Sequence, residues 1–152
     1  MGEARATLRP ADTMKMSFDI EFPDAAIGRQ SRRIELCNGH FVRELCDSRT
    51  FCRLSDVEMM QANGLALGGV PGENAVVVDG DDVVSPGGLR HEDEPVRHKM
   101  LDALGDLALA GAPILGEYEG IRSGHMLTNQ LLRKLFSTPG AWRLVECTPE
   151  QA

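Results

Sequence analysis

The segment from about Glu94 to Ala110 carries the strongest helix signal in the sequence, and it constrains the fold more than any other segment. Apolar side chains recur there at the spacing of one helix face, and Gly111 ends the pattern. The apolar positions are Val96, Met100, Ala103, Leu104, Leu107 and Ala108. A helix with one apolar face must bury it against another layer, so we expect it to cover one side of a sheet.

Shorter segments around this helix predict the sheet and a second helix. Alternating apolar residues predict a strand at Met16–Ile20, and Asn38-Gly39 is a typical hairpin turn. Further strands are predicted at Ile34–Leu36, Phe41–Leu45, Ile114–Tyr118 and Trp142–Cys147. The last helix is predicted from about Met126 to Phe136, before Pro139-Gly140.

Residues 51–79 predict a small β-α-β unit of their own. Ser55 is a suitable N-cap for a helix that ends before Gly64. Short strands are predicted at Leu65–Leu67 and Ala75–Val78, on either side of a glycine-rich turn.

These elements together predict an α+β fold in a single domain of 152 residues. We expect a two-layer sandwich, in which one sheet carries two main helices on one face and a small β-α-β insertion. The expected organisation is a flexible lead-in at 1–15, the domain at 16–147 with its insertion at about 51–79, and a tail at 148–152.

Composition excludes several classes of protein. Sixteen Lys and Arg against 23 Asp and Glu give a net charge of −7, which argues against a general nucleic-acid binder. The longest apolar stretch, Leu107–Leu115, is far shorter than the roughly 20 residues of a membrane span. Residues 1–17 lack the apolar core of a secretory signal. The four cysteines form no CxxC pair, so we expect a chain of the reducing cytoplasm.

A row of polar side chains lies on the strong helix. His98, Asp102 and Asp106 are spaced four residues apart, which places them on one helix face. A histidine and a carboxylate one turn apart can bind one metal ion, and a further carboxylate can orient the site. The alternative is a solvated polar face without a ligand.

Two other segments contain candidate catalytic groups. His125 follows Ser123-Gly124 just before the last helix, where it could donate a proton to a leaving group. A histidine in such a loop can equally be structural. The Thr50 hydroxyl could stabilise an oxyanion, or Thr50 could be an ordinary strand or turn residue.

Taken together, the motifs and their order along the chain resemble a known enzyme family over roughly residues 16–146. His98-Lys99-x-x-Asp102-x-x-x-Asp106, Ser123-Gly124-His125 and Asn129–Leu132 are similar to the zinc-dependent deacetylase that acts on UDP-(3-O-acyl)-N-acetylglucosamine in lipid A biosynthesis. Supporting stretches are Phe18–Phe22, Ala26-Ile27-Gly28, Arg49-Thr50-Phe51, Gly64–Gly69, Ala75–Asp79 and Glu92-Asp93-Glu94.

The resemblance implies a role for each matching residue. His98 and Asp102 would be zinc ligands, and Asp106 would hold the charge and orientation of the site. His125 would be the general acid, and Thr50 would contact the tetrahedral oxyanion. The reaction would release acetate and the free amine.

The resemblance also implies how the substrate binds. Lys99 would engage the nucleotide or diphosphate, and Phe51 would pack against the substrate. The β-α-β insertion would form the passage for the fatty acyl chain, with four residues as its candidate lining: Val57, Ala66, Val70 and Ala75. The alternative for the insertion is a local core without a ligand.

The chain resembles only the C-terminal half of the family. The family's N-terminal half supplies a third zinc ligand and the general base, and no matching Glu-His pair occurs here. We therefore expect the N-terminal half as a partner, in cis in a longer parent chain or in trans. Within this chain, His40 and His91 are the remaining candidates for a third ligand. The sequence leaves open a non-catalytic binding module, a partner-dependent structural half, and iron in place of zinc.

Overall fold

The computed structural model describes residues 4–37, 39–65 and 68–146. In chain order the strands are β1 (Arg5–Pro10), β2 (Lys15–Glu21), β3 (Arg29–Glu35), β4 (Thr50–Arg53), β5 (Ala75–Asp79), β6 (Asp82–Val83) and β7 (Gly116–Ile121). The helices are α1 (His40–Glu44), α2 (Leu54–Ala62), α3 (Glu94–Leu107) and α4 (His125–Ser137). The α+β prediction is confirmed: a four-stranded mixed sheet packs against α3 and α4, and a small three-stranded sheet is inserted.

The main sheet has the strand order β1-β7-β2-β3. The central strands β2 and β7 run parallel, and the two outer pairs are antiparallel. Alternate side chains of β2 are buried beneath the helices: Met16, Phe18 and Ile20. They share one core with the buried face of α3, formed by Val96, Met100, Ala103 and Leu107. Burial of this apolar face holds α3 in one rotational setting, so its polar row keeps a fixed direction.

The opposite face of the sheet is charged. Glu119 of β7 lies 3.6 Å from the guanidinium groups of both Arg5 and Arg9 on the neighbouring β1. Glu117 pairs with Arg33 at 2.8 Å. Alternation of apolar and polar residues along β1, β2 and β7 therefore produces a sheet with one face for the helices and one for water.

Gly120 allows a close approach between β7 and β2. A Cβ atom at this position would lie 2.6 Å from the ring of Phe18, its partner across the parallel pair. Phe18 is almost fully buried, and it also lines the hollow beneath His125. Glycine at 120 thus makes room for the aromatic ring that supports the candidate site.

The insertion at 51–79 forms the predicted β-α-β unit. β4 and β5 run parallel with α2 between them, and β6 adds an antiparallel edge. Leu65 is outside any strand, and Ala66 and Leu67, the rest of that predicted strand, lie outside the described residues.

Several local predictions were wrong. Part of the expected lead-in is the edge strand β1, whose half-buried Ala6 and Leu8 face the core between exposed arginines. Phe41–Leu45 lies largely in helix α1 instead of a strand, because only Leu45 of this segment is buried. The turn at Gly39, with φ of 78°, starts that helix; Asn38 lies outside the described residues. Residues 142–146 form no strand, and Cys147 lies outside the described residues.

A further error concerns the end of helix α3. It ends at Leu107 and tightens into the 3₁₀ turn Ala108–Ala110, which leaves Ala108 exposed, not on the buried face. None of the helices in the described part of the chain is long and apolar enough to cross a membrane.

Candidate active site

Helix α3 carries the centre of the candidate site. The Nε2 atom of His98 lies 3.3 Å from Oδ1 of Asp102, one turn further along the helix. Both side chains are about four-fifths buried. The structure therefore brings together the two residues that the sequence predicts as metal ligands.

The second ring nitrogen of His98 is held by the backbone. Its Nδ1 atom lies 3.2 Å from the carbonyl oxygen of Ser48. A carbonyl oxygen can only accept a hydrogen bond, so Nδ1 carries the proton and donates it. In a neutral ring, the lone pair then lies on Nε2 and faces a carboxylate, an arrangement that favours a cation between the two groups.

The donor set fits part of a zinc site. Two ligands of a tetrahedral zinc ion, with bonds of about 2.0–2.1 Å, lie about 3.3 Å apart. The separation between His98 Nε2 and Asp102 Oδ1 has this value. Among the described residues, however, no group of three or more His, Cys, Asp and Glu could hold a metal ion. A catalytic zinc ion has three protein ligands, so the predicted pair His98 and Asp102 would be one ligand short of a complete set.

The two spare histidines lie in other interactions. His40 bonds through Nδ1 to the carbonyl oxygen of Glu35, beside Cys37. His91 bonds through Nε2 to Asp47 at 3.0 Å. Within the described ranges, therefore, no metal-binding group surrounds either of these candidates for a third ligand.

His125 joins the same cluster from the first turn of α4. Its Nδ1 atom lies 2.9 and 3.0 Å from the two carboxylate oxygens of Asp106. Its Nε2 atom lies 3.9 Å from Oδ2 of Asp102. Asp106 thus holds the ring through one nitrogen and leaves the other directed toward Asp102, one of the predicted metal ligands. The His125 side chain is two-thirds exposed, so Nε2 is accessible to a substrate.

Lys99 places a positive charge beside the pair. Its Nζ atom lies 2.6 Å from Oδ2 of Asp102, the oxygen that is not directed at His98. The ammonium group therefore contacts a predicted ligand in this structure. Lys99, Asp102, Asp106 and His125 line one hollow, whose floor includes Phe18 and Thr128.

A buried group of hydroxyls lies beneath the turn that carries His125. The Tyr118 hydroxyl lies 3.2 Å from the Ser123 oxygen and 3.0 Å from the Thr128 oxygen. Thr128 also reaches the carbonyl oxygen of Gly124 at 3.4 Å. All three hydroxyl-bearing residues are buried. This group fixes the backbone just before His125, and the sequence analysis missed it because its members look like ordinary strand and helix residues.

The first two residues of β4, Thr50 and Phe51, form another wall of the site. Thr50 is exposed at the start of β4, and the ring of Phe51 meets His98 edge-on with centroids 6.1 Å apart. Phe51 also packs edge-on against Phe22 at 5.2 Å. The structure therefore places Phe51 directly beside a predicted zinc ligand, with Thr50 adjacent in the chain.

The residues predicted to line an acyl passage have different surroundings. Ala75 is buried in β5, Val57 is half-buried in α2, and Val70 is exposed to a little under half of its surface. Ala66 lies outside the described residues. Arg53, a charge near the proposed passage, pairs with Asp56 at 3.0 Å.

A buried ion pair attaches this wall to helix α3. Nε and Nη2 of Arg49 each lie 2.9 Å from a different oxygen of Glu94. The same guanidinium donates to the carbonyl oxygens of Gly72 and Gly88. Burial acts to raise the pKa of Glu94, but hydrogen bonds from Arg49 and Arg90 and the charge of Arg49 outweigh it and lower the pKa. Glu94 is therefore held as a carboxylate.

The fold and the cluster define the class: a two-layer α+β domain with a histidine–carboxylate pair and a carboxylate-held histidine on its helix layer. Residues 1–137 match the family model of LpxC, UDP-3-O-acyl N-acetylglycosamine deacetylase. The chain belongs to this family.

Curated relatives agree with this assignment. The chain is 50% identical over 143 residues to the UDP-3-O-acyl-N-acetylglucosamine deacetylase of Phenylobacterium zucineum (strain HLK1). It is 46% identical over 146 residues to that of Pseudomonas entomophila (strain L48), and 43% identical over 149 residues to that of Geobacter sp. (strain M21). These matches cover 94%, 95% and 98% of this chain but 48% of each relative. The chain therefore spans about half the length of the curated relatives it matches.

Proposed function

We propose that this chain is one half of a zinc-dependent deacetylase acting on UDP-3-O-acyl-N-acetylglucosamine. The reaction would hydrolyse the N-acetyl amide with one water, giving acetate and the free glucosamine. The observation that carries the proposal is the cluster on α3, where His98 Nε2 lies 3.3 Å from Asp102 Oδ1 and His125 faces this pair from α4. Membership of the deacetylase family supports the choice of substrate.

In this proposal His98 and Asp102 hold the zinc ion. A bound zinc ion would polarise the amide carbonyl and lower the pKa of a water molecule. The Ser48 carbonyl keeps the proton on Nδ1 of His98, so Nε2 remains available for the metal.

His125 would donate the proton that the departing amine needs. Asp106 accepts a hydrogen bond from Nδ1 and stabilises the protonated ring, which leaves Nε2–H as the acid. The carboxylate also fixes the direction of the ring, as the buried aspartate does in serine-protease triads.

The wall formed by Thr50 and Phe51 would contact the substrate. The Thr50 hydroxyl would donate to the oxyanion that develops on the amide oxygen. Phe51 would pack against the sugar or the acyl chain. Lys99 would release Asp102 in part and engage the diphosphate when substrate and metal are bound.

The insertion would hold the fatty acyl chain in this proposal. Val57, Ala66, Val70 and Ala75 remain its candidate lining. Exposure of Val70 supports direct contact with a flexible apolar ligand. Ala75 is buried, so it would support the passage from behind its surface. The length of the acyl chain would follow from the space between α2 and β5.

The unmatched half of the relatives would complete the site. It would supply the third zinc ligand and the base that takes a proton from water, because the described residues provide neither beside His98. We propose that this half is joined to the chain in cis or binds it in trans. A cytoplasmic location and the choice of zinc over iron remain predictions.

Two histidine variants test the proposal. Each of His125 and His91 is paired with an aspartate, but only His125 lies in the cluster. The chain would be mixed with the unmatched half of the Phenylobacterium zucineum relative, and acetate release would be measured. His125→Gln should lower kcat by about 10²–10⁴-fold with little change in KM, whereas His91→Gln should leave it nearly unchanged. Equal activity of both variants would contradict the role of His125.

A further inference from the structure

Glu94 and His98 lie one turn apart on α3, and both contact the segment that precedes β4. Glu94 Oε1 accepts a hydrogen bond from the backbone N–H of Arg49 at 2.9 Å. His98 Nδ1 donates to the carbonyl oxygen of Ser48 at 3.2 Å. This N–H and this carbonyl belong to one peptide group, the bond between Ser48 and Arg49.

The two ends of that peptide group cannot move independently. The bond is trans, as are all peptide bonds described, so its N–H and C=O point in opposite directions in one plane. A carboxylate that binds the N–H end therefore also sets the direction of the carbonyl end. That carbonyl is the acceptor that keeps the proton on Nδ1 of His98.

The carboxylate that binds this peptide is itself immobile. Glu94 is fully buried, receives two hydrogen bonds from the Arg49 guanidinium, and accepts a third from the backbone N–H of Arg90 at 2.7 Å. A buried ion pair is weak support for stability alone, since apolar residues of similar volume often stabilise as well. Here the ion pair contributes orientation, because it fixes the plane of the peptide group beside a predicted metal ligand.

We propose that Glu94 is a positioning residue that sets the tautomer of His98 through the Ser48–Arg49 peptide group. With Glu94 in place, the imidazole carries its proton on Nδ1 and presents the lone pair of Nε2 to the metal. The effect on zinc binding rests on the proposed function, but the effect on the tautomer does not.

A matched pair of double variants separates the effect of the hydrogen-bond acceptor at residue 94 from the effect of the ion pair. Arg49→Met with Glu94→Gln removes both charges but keeps an amide oxygen that can accept from the N–H of residue 49. Arg49→Met with Glu94→Leu removes the charges and the acceptor. Neither variant leaves a buried charge without a partner, and the two differ only in the group that binds the peptide.

The readout is the histidine tautomer in the metal-free chain. Long-range ¹H–¹⁵N spectra of the labelled chain, in alkaline buffer with a chelator, show which ring nitrogen carries the proton. The His98 signals are assigned by their loss in His98→Gln. We expect the native chain and the Met/Gln variant to show the Nδ1–H form, and the Met/Leu variant to shift to a mixture with the Nε2–H form.

Zinc affinity, measured on the same proteins mixed with the unmatched half of the Phenylobacterium zucineum relative, separates this proposal from the proposed function. Loss of such a supporting group weakens metal binding by about 10–100-fold, which we expect for Met/Leu but not for Met/Gln. A tautomer shift without a change in zinc affinity would support the positioning role and contradict the zinc site. An Nε2–H form in the native chain, or the same tautomer in both variants, would overturn the positioning role. Even where the Met/Leu variant does not fold, an Nε2–H form in the native spectrum would overturn the positioning role.

Discussion

Glu94 and His98, one turn apart on the same helix, bind the two ends of a single peptide group. Helix α3 therefore carries a predicted metal ligand, His98, and also the residue that we propose orients it, Glu94. This arrangement connects the buried core of the domain to the polar cluster on its surface, because Glu94 is anchored by Arg49 beneath the site. Four predictions on stability follow from the core and its ion pairs, and a fifth addresses the site itself.

The Arg49–Glu94 pair should be costly to break from one side. Glu94→Leu leaves a buried guanidinium without its carboxylate, which we expect to lower the free energy of unfolding by about 3–5 kcal/mol. Adding Arg49→Met to Glu94→Gln removes both charges, so this double variant should lose less than half as much. Urea denaturation of the native chain and both variants measures the difference. Equal losses would show that the charge itself is unimportant.

Stability should fall in acid because three carboxyl groups have lowered pKa values. Burial acts to raise the pKa of Glu44, Asp93 and Glu94, but hydrogen bonds and charges of arginines outweigh it. Such groups bind fewer protons when folded, so they stabilise the fold above the unfolded pKa of about 4. That contribution is lost as the pH falls through the lower, folded values.

The pH prediction is checked by unfolding in urea at a series of pH values from neutral to acid. Glu94→Gln should give a shallower decline than the native chain, because one of the three groups no longer titrates. Glu92→Gln removes an exposed carboxylate next to the pair and serves as the control. A native decline no steeper than that of Glu94→Gln would contradict the assignment.

Two glycines should respond in opposite directions to the same substitution. Gly120→Ala places a methyl group against the buried Phe18 ring, which we expect to cost about 1–3 kcal/mol. Gly105 lies in α3 with open space around its Cβ position, so Gly105→Ala should stabilise by about 0.5–1 kcal/mol. Thermal unfolding of the two variants gives the sign directly. Destabilisation by both substitutions would show that the space around Gly105 in α3 is not open.

The cluster of buried hydroxyls beneath the turn that carries His125 should stabilise the fold through the Tyr118 hydroxyl. Tyr118→Phe leaves the buried hydroxyls of Ser123 and Thr128 without this partner, with an expected loss of about 1–3 kcal/mol. Thr128→Ser keeps a hydroxyl and should lose less. Chemical denaturation provides the values, and amide exchange at Gly124 and His125 tests whether the turn loosens. Unchanged exchange in Tyr118→Phe would indicate that the turn is fixed by other contacts.

Local patterns account for the parts of the fold that the sequence predicted well. Helix α3 was predictable because its apolar face repeats over four turns, and the His98–Asp102–Asp106 row follows from the same period. The edge strand β1 was missed because Ala6 and Leu8 are its only core-facing apolar residues. Helix α1 was missed because Asn38-Gly39 and the apolar Phe41 favour a hairpin in isolation.

The assembly of the site depended on contacts between distant segments. Arg49 is 45 residues before Glu94, and no periodicity links them. His125 reaches Asp106 only because α4 packs beside α3 on the sheet. A carboxylate one turn before His98 was the available signal for Glu94, but its target, a backbone N–H, leaves no trace in the sequence.

The zinc content of the chain, alone and with the unmatched half of a relative, tests the central claim most directly. Acetate release from UDP-3-O-acyl-N-acetylglucosamine would be measured in the same samples. We predict little retained zinc and no acetate release from the chain alone, because the described residues place only two predicted ligands, His98 and Asp102, side by side. Adding the other half should give about one zinc per pair and restore release. Tightly held zinc with turnover by the chain alone would contradict the account.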